Sequence, residues 1–194
     1  MKLVAECFCY GEDGVFAHLD AVHTSVIGMR EVARQRGVNV SHFHDSDLEP
    51  TSSFLSSLAA HTGEKLVVFP GQCNFSGHKY PAYVWTKRFH ELGYKVFFDA
   101  AALVATSPLD LSKVKADFIA VSFYKIFGHP TGIGALLVKN SVTSTLRKTF
   151  FGGGSVEMSI SELDFHVPRL NISERYEINL SDSSDLFPFL NILV

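Results

Sequence analysis

Five polar side chains stand at or just past the ends of apolar runs. Asp99 closes Lys95-Val96-Phe97-Phe98-Asp99, and Ser122 closes Phe118-Ile119-Ala120-Val121-Ser122 with Lys125 three residues on. Asn74 follows the run ending in Phe69 and Pro70-Gly71, and His23 lies a few residues after Leu19. An acid, an amine, a hydroxyl, an amide and an imidazole would share one edge if these runs are neighbouring parallel strands, and that edge is where open α/β sheets bind ligands. Lys125 is surrounded in sequence by Phe123, Tyr124, Ile126 and Phe127. Partial desolvation there would favour the neutral amine and make it a nucleophile. The structural alternative is a stem packed on apolar surface with its head in water. Asp99 is costly after so apolar a run unless it meets a cation or several donors, and it reads equally as a helix N-cap. A lysine and an acid together serve pyridoxal phosphate chemistry. The lysine forms the Schiff base and the acid holds the pyridine nitrogen, so that the ring drains electrons from the bond broken at the substrate's α-carbon.

The elements that must position these groups are legible as alternating short apolar runs and amphipathic stretches. Strands are predicted at 15–19, 38–43, 65–69, 95–99, 118–122 and 134–138. Helices are predicted at 25–36, stopped by Gly37, at 52–60, stopped by Gly63, and at 81–92, with Pro81 in the first turn and Gly93 after the end. The runs at 95–99 and 118–122 lack polar alternation, as expected of strands covered on both faces. Repeated strand–helix units predict an α/β fold with a mainly parallel sheet and helices on both faces. The last strand follows a connection too short for a helical crossover and is expected to run antiparallel. Met1 to Gly11 reads as the last turns of a helix, and Ser181 to Val194 as the start of an apolar one. Neither has the caps of a complete helix, so the chain is expected to be a fragment cut inside elements at both ends.

Composition sets the outer limits. The 194 residues carry 17 Lys+Arg and 20 Asp+Glu for a net charge of −3, with 46% hydrophobic and 12% aromatic residues, which is enough for a packed core and unlike a disordered chain. Near-neutral charge offers no electrostatic surface for nucleic acid or anionic membrane. The longest apolar run, Leu186 to Val194, is broken by Pro188 and Asn191 and falls short of the ~18 residues a membrane span needs. The N-terminal stretch, interrupted by Glu6, makes a poor signal peptide. Cys7, Cys9 and Cys73 cannot form a disulfide framework. A cytoplasmic protein is expected.

Other chemistry-bearing residues read as structural. Cys7-Phe8-Cys9 with His18, or His42-Phe43-His44-Asp45, lacks the paired ligand spacing of a zinc site, and no metal is expected. Cys73, nearest the site, reads as an inert loop residue. Arg30 reads as a helix-surface pair, and Arg147 and Lys148 as a solvated face. Gly152, Gly153 and Gly154 form either a plain loop or a place where backbone approaches a cofactor, across a dimer interface or within the chain.

The stretches DFIAVSFYKIFGHPTGIGALLVKN, FPGQCNFSGHKYP, DAVHTSVIGMR, FFDAAALVATSPLDLS and RKTFFGGGSVEM run in the same order through nearly the whole chain. Together they resemble the aminotransferase-like domain of the molybdenum cofactor sulfurase family, class V pyridoxal-phosphate enzymes of fold type I related to cysteine desulfurases. The resemblance implies that residues 1–194 are part of a pyridoxal-phosphate-binding large domain. By the same resemblance Lys125 bonds the cofactor covalently, Asp99 holds its pyridine nitrogen and His23 stacks on its ring. Asn74 would bond the ring's phenolic oxygen and Ser122 its phosphate. Many desulfurases place His before the lysine and Gln three residues after the acid. Here Tyr124 and Ala102 stand there, which points to the sulfurase branch.

What the resemblance implies for the complete enzyme is desulfuration of L-cysteine. Lys125 would move the α-proton, and a family cysteine outside this chain would take the sulfur as a persulfide, releasing alanine. The sulfur would then pass to the molybdenum cofactor, replacing an oxo with a sulfido ligand and activating xanthine dehydrogenase and aldehyde oxidase. A homodimer is expected. The segments carrying a Gly-Ser/Thr phosphate loop, the substrate-carboxylate arginine, the small domain and the molybdenum-cofactor domain are expected outside residues 1–194. Two alternatives stay open at this point: another class V cysteine desulfurase or selenocysteine lyase, and a fragment without catalysis.

Overall fold

The computed structural model describes residues 1–49, 52–128 and 134–176, together with the backbone of 190–193. Its centre is a seven-stranded sheet: β1 (Val15–Leu19), β2 (Asn39–Phe43), β3 (Lys65–Pro70), β4 (Tyr94–Asp99), β5 (Phe118–Ser122), β6 (Gly134–Val138) and β9 (Leu190–Leu193), in the order β2-β1-β3-β4-β5-β6-β9. The first five strands are parallel, β6 is antiparallel to β5, and β9 is parallel to β6. The antiparallel turn-back expected for the last predicted strand is present.

Period-two alternation divides the strand side chains between two cores. Phe16, Leu66, Val68, Phe97 and Phe118 pack with α1 (Lys2–Cys7) and α2 (Thr24–Gln35) on one face. Val15, Ala17, Val67, Phe69, Val96, Phe98 and Ile119 pack with α3 (Ser53–Ala59) and α4 (Ala82–Glu91) on the other. Helices therefore cover both faces, and the wholly buried β1 and β3 need no polar alternation.

Three regions depart from the sequence expectation. A one-turn helix, α5 (Phe123–Phe127), follows β5 directly and carries Lys125, capped by Gly128 in the left-handed region at φ 65°. Residues Val156–Ile160 (β7) and Phe165–Pro168 (β8) form a separate antiparallel hairpin whose register shifts between Val156 and Met158, followed by α6 (Ile172–Tyr176). The apolar C-terminal segment expected to start a helix is a strand at Leu190–Leu193. A four-residue run cannot express a 3.6-residue period, and the free edge of β6 supplies a ladder for it. The proposed cap of that helix lies outside the described residues.

Candidate active site

The parallel strands deliver four loops to one edge. β4 ends on Asp99, which in register faces Pro70 of β3 and Ala120 of β5. β5 ends on Ser122, the N-cap residue of α5, with Lys125 one turn beyond. β3 runs into the loop 71–80 that carries Asn74, and β1 leads through Asp20 to His23, the N-cap of α2.

Lys125 Nζ donates to Asn74 Oδ1 at 2.8 Å. The loop holding Asn74 is fixed at several points. Gly71 N–H donates to Asp99 O at 2.8 Å and Tyr80 N–H to Gly71 O at 3.0 Å, while Gln72 and Lys79 form a bridge. Thr106 Oγ1 donates to Gln72 Oε1 at 2.7 Å, and Lys79 Nζ to Ser107 Oγ at 2.6 Å. None of these four side-chain anchors is evident from the sequence, because their partners lie in a loop 28 to 34 positions away.

Asp99 is 5% exposed. Its Oδ1 accepts from Ala101 N–H at 3.0 Å, the only hydrogen bond to its carboxylate among the described residues. Burial pushes its carboxyl above the usual range, opposed by the Ala101 N–H and by the charges of Lys125 and His23. Asp99 is therefore a buried acid within electrostatic reach of the lysine and the imidazole, whereas the helix N-cap reading is not realised: Asp99 accepts within the turn after β4, and the helical turn Leu103–Ala105 has Ala102 as its N-cap residue. His23 Nδ1 accepts from Ser25 N–H at 3.2 Å and lies 2.8 Å from Ser25 Oγ. Ser122 is half-buried and its hydroxyl makes no capping bond to α5.

Lys125 is partly buried, as the sequence suggests, with its amine end exposed. The side chain is half-buried, while Tyr124, Ile126 and Phe127 are exposed, because consecutive residues of one helical turn point in different directions. Lys125 Nζ lies 5.9 Å from the Tyr124 ring centroid. Lys148 is not on a solvated face: it is half-buried and its amine donates to Arg175 O at 3.0 Å. Arg30 pairs with Glu31 on the helix surface, as expected.

Cys73, beside Asn74, has its thiol held below the usual range by the Ser76 side chain and backbone, whereas burial pushes the Cys7 thiol up to about 11. His44 bonds Asp20 at 2.6 Å, and His42 sits 6.3 Å from the buried ring of His18. At Gly152 and Gly153 an added Cβ would meet nothing within 4 Å, so these glycines make no close approach among the described residues. Their loop is closed by Ser155, whose Oγ donates to Gly152 O at 2.8 Å.

Residues 2–169 match the family model for aminotransferase class V. The chain belongs to the class V aminotransferase family. Among its class V relatives, molybdenum cofactor sulfurase 3 of Aedes aegypti is 41% identical over 186 residues, covering 91% of this chain and 24% of the relative. The chain thus spans about a quarter of the length of the curated relatives it matches. Among solved structures, the cysteine desulfurase CsdA of Escherichia coli superposes with a TM-score of 0.69 at 20% identity, over 86% of this chain and 42% of that one. A C-DES variant with glycine covalently linked to its pyridoxal phosphate superposes with a TM-score of 0.68 at 18% identity, over 91% of this chain and 47% of that one. This class V chain therefore has the α/β architecture that its strand pattern predicts, and the fold type I that the resemblance implied.

Proposed function

We propose that this chain supplies the pyridoxal phosphate cradle of an L-cysteine desulfurating enzyme that delivers sulfur to the molybdenum cofactor. The observation that carries the reading is the Lys125–Asn74 hydrogen bond set at the strand edge where Asp99 is buried. A buried carboxylate with one hydrogen bond calls for a further donor, and a protonated pyridine nitrogen is such a donor. The residues present fit the cofactor in that respect.

In this reading Asp99 holds the ring nitrogen, His23 lies against the ring face, and Asn74 and the hydroxyl of Ser122 take the phenolic oxygen and the phosphate. Pyridoxal phosphate, when bound, stabilises the electron pair left at the substrate's α-carbon. Lys125 is the covalent anchor and, once freed by the incoming amine of L-cysteine, the base that takes the α-proton. Asn74 Oδ1 then has a second use, because it receives the amine of Lys125 once that amine has taken the proton and become an ammonium, where the structure already places it. The persulfide-forming cysteine lies outside residues 1–194 in this proposal, since none of Cys7, Cys9 and Cys73 stands at the family's position. Loss of sulfur leaves alanine, and transfer of the persulfide's outer sulfur to the molybdenum centre, with two electrons from a thiol reductant and loss of the oxo group as water, gives the sulfido ligand.

The proposed domain is 1–194 as part of the large domain, and the proposed assembly is a homodimer in the cytoplasm. Exposed Phe75, Phe127 and Phe150 give a dimer apolar area to cover. No helix among the described residues is long and apolar enough to cross a membrane. The test is titration of the purified chain with pyridoxal phosphate, then borohydride reduction and peptide mapping. The expected result is a visible absorption band fixed onto Lys125 and lost in Lys125→Ala. A folded chain that shows no band overturns the cofactor assignment.

A further inference from the structure

We propose that the Ser25 hydroxyl is a positioning group for the His23 ring, setting its rotation; the inference rests on reading this edge as a pyridoxal phosphate site. His23 occupies an unusual place for an imidazole. It is the N-cap residue of the twelve-residue helix α2, with extended backbone at φ −70° and ψ 151°. Such positions usually hold Ser, Thr, Asp or Asn, whose side-chain oxygen accepts from the first turn. Here the ring nitrogen does so.

Two groups of one residue converge on that nitrogen. Ser25 N–H donates to Nδ1 at 3.2 Å, and Ser25 Oγ lies 2.8 Å from the same atom. A backbone N–H can only donate, so Nδ1 is an acceptor and the neutral ring carries its proton on Nε2. The N–H contact alone is long and lets the ring pivot about it. The shorter hydroxyl contact removes that freedom. The hydroxyl also lies 2.8 Å from Met1 Sδ, but a thioether is a weak acceptor and competes poorly with an imidazole nitrogen. Nε2 makes no hydrogen bond among the described residues, so the ring is held from one edge only and both its faces are left to other contacts. A ring held in this way is ready to meet a flat partner without first losing rotational freedom.

Nitrogen-15 labelling of histidine in the 194-residue chain reads the ring directly, with no cofactor present. The expected spectrum has His23 with Nδ1 unprotonated and Nε2 protonated. Ser25→Ala is expected to keep Nε2 protonated, because the residue-25 N–H still donates to Nδ1, but to shift and broaden the His23 Nδ1 signal as the hydroxyl contact is lost, and Ser25→Thr to restore the original pattern. Titration with pyridoxal phosphate should show binding about fivefold weaker in Ser25→Ala and recovered in Ser25→Thr, with Lys125 still captured at saturation. A purely structural role in α2 would change the melting temperature and leave the ring nitrogen signals in place.

Unchanged His23 signals in Ser25→Ala overturn the proposal, as does a failure of Ser25→Thr to restore them. If the unmutated chain takes up no pyridoxal phosphate, the cofactor reading falls, while the response of the His23 Nδ1 signal still decides the part played by Ser25. If Ser25→Ala does not fold, Ser25→Cys offers a weaker donor of similar size, and the same displacement of His23 signals supports the proposal or its absence refutes it.

Discussion

Asn74 accepts a hydrogen bond from Lys125 across 51 positions of sequence. The acceptor sits in a loop after β3 and the donor on a single turn after β5, with β4 between them. That relationship makes the amide a rest position for the amine. Asn74→Ala should leave Lys125 without its fixed acceptor and weaken pyridoxal phosphate capture about tenfold, the scale of one charge-assisted hydrogen bond. Borohydride trapping across a cofactor titration measures it, and unchanged capture would show that the contact is incidental.

Asp99 sets stability against function. Burial raises its pKa above the ordinary 3.8, so the folded chain binds that proton more tightly than the unfolded chain. Stability contributed by the protonated form is therefore lost as pH rises from 3.8 through the folded value. Asp99→Asn should remove this dependence and stabilise the cofactor-free chain at pH 7 by on the order of 1 kcal/mol, while abolishing tight cofactor uptake. Thermal melts in the presence and absence of pyridoxal phosphate separate the two effects.

His18 behaves in the opposite sense. It is 3% exposed, its Nδ1 lies 2.7 Å from Leu19 O, and its Nε2 has no partner among the described residues. Burial pushes its pKa below the ordinary 6.5, with Arg30, His42 and Arg34 adding like charge. The unfolded chain then takes up the proton first, so stability falls as pH drops through 6.5. Urea midpoints should decline from pH 7.5 to pH 5, and His18→Leu should flatten the decline. An equal slope in the variant would place the acid sensitivity elsewhere.

At the opposite end of the sheet from the site, the Asp117 carboxylate is 6% exposed and accepts from His90 Nε2 at 2.7 Å and from Val96 N–H at 2.7 Å, with Lys139 Nζ at 3.4 Å. Burial alone would raise its pKa, but these donors and charges hold it below the usual range. Asp117→Ala orphans the Val96 N–H, takes the acceptor from His90 Nε2 and leaves Lys139 only its bond to Lys115 O, and should cost about 3 kcal/mol. A denaturant titration checks this, and a loss below roughly 1 kcal/mol would mean that water replaces the carboxylate.

Gly71 is needed for space. An added Cβ would lie 2.6 Å from Phe98 Cζ and 2.8 Å from Leu103 Cδ2. Gly71→Ala should cost ~1–3 kcal/mol and move the loop that carries Asn74. The expected signature is a lower melting temperature together with weaker cofactor capture. A fall in stability with capture intact would show that the loop tolerates the shift.

The parallel strands were readable because strands buried on both faces leave uninterrupted apolar runs, as in Leu66-Val67-Val68-Phe69. The shared edge of the candidate residues follows from one rule, since a polar side chain at or just past the end of such a run lands at the carboxyl end of the sheet. What surrounds them was less readable. The exposure of Phe127 depends on how a five-residue helix projects its neighbours, and the hairpin β7–β8 hides its alternation behind a register shift. The low-lying Cys73 thiol depends on Ser76, three residues away, turning back toward it. Each of these is set by loop geometry, for which hydrophobic periodicity carries no signal.

The brevity of α5 has a thermodynamic meaning. A single helical turn is held by few intrahelical bonds, and this one places three of its five side chains largely in solvent. Its amides should therefore be among the earliest in the described chain to exchange with deuterium, opening at a small fraction of the global unfolding free energy. The amine of Lys125 rides on backbone that yields cheaply, beside the rigid strand bearing Asp99.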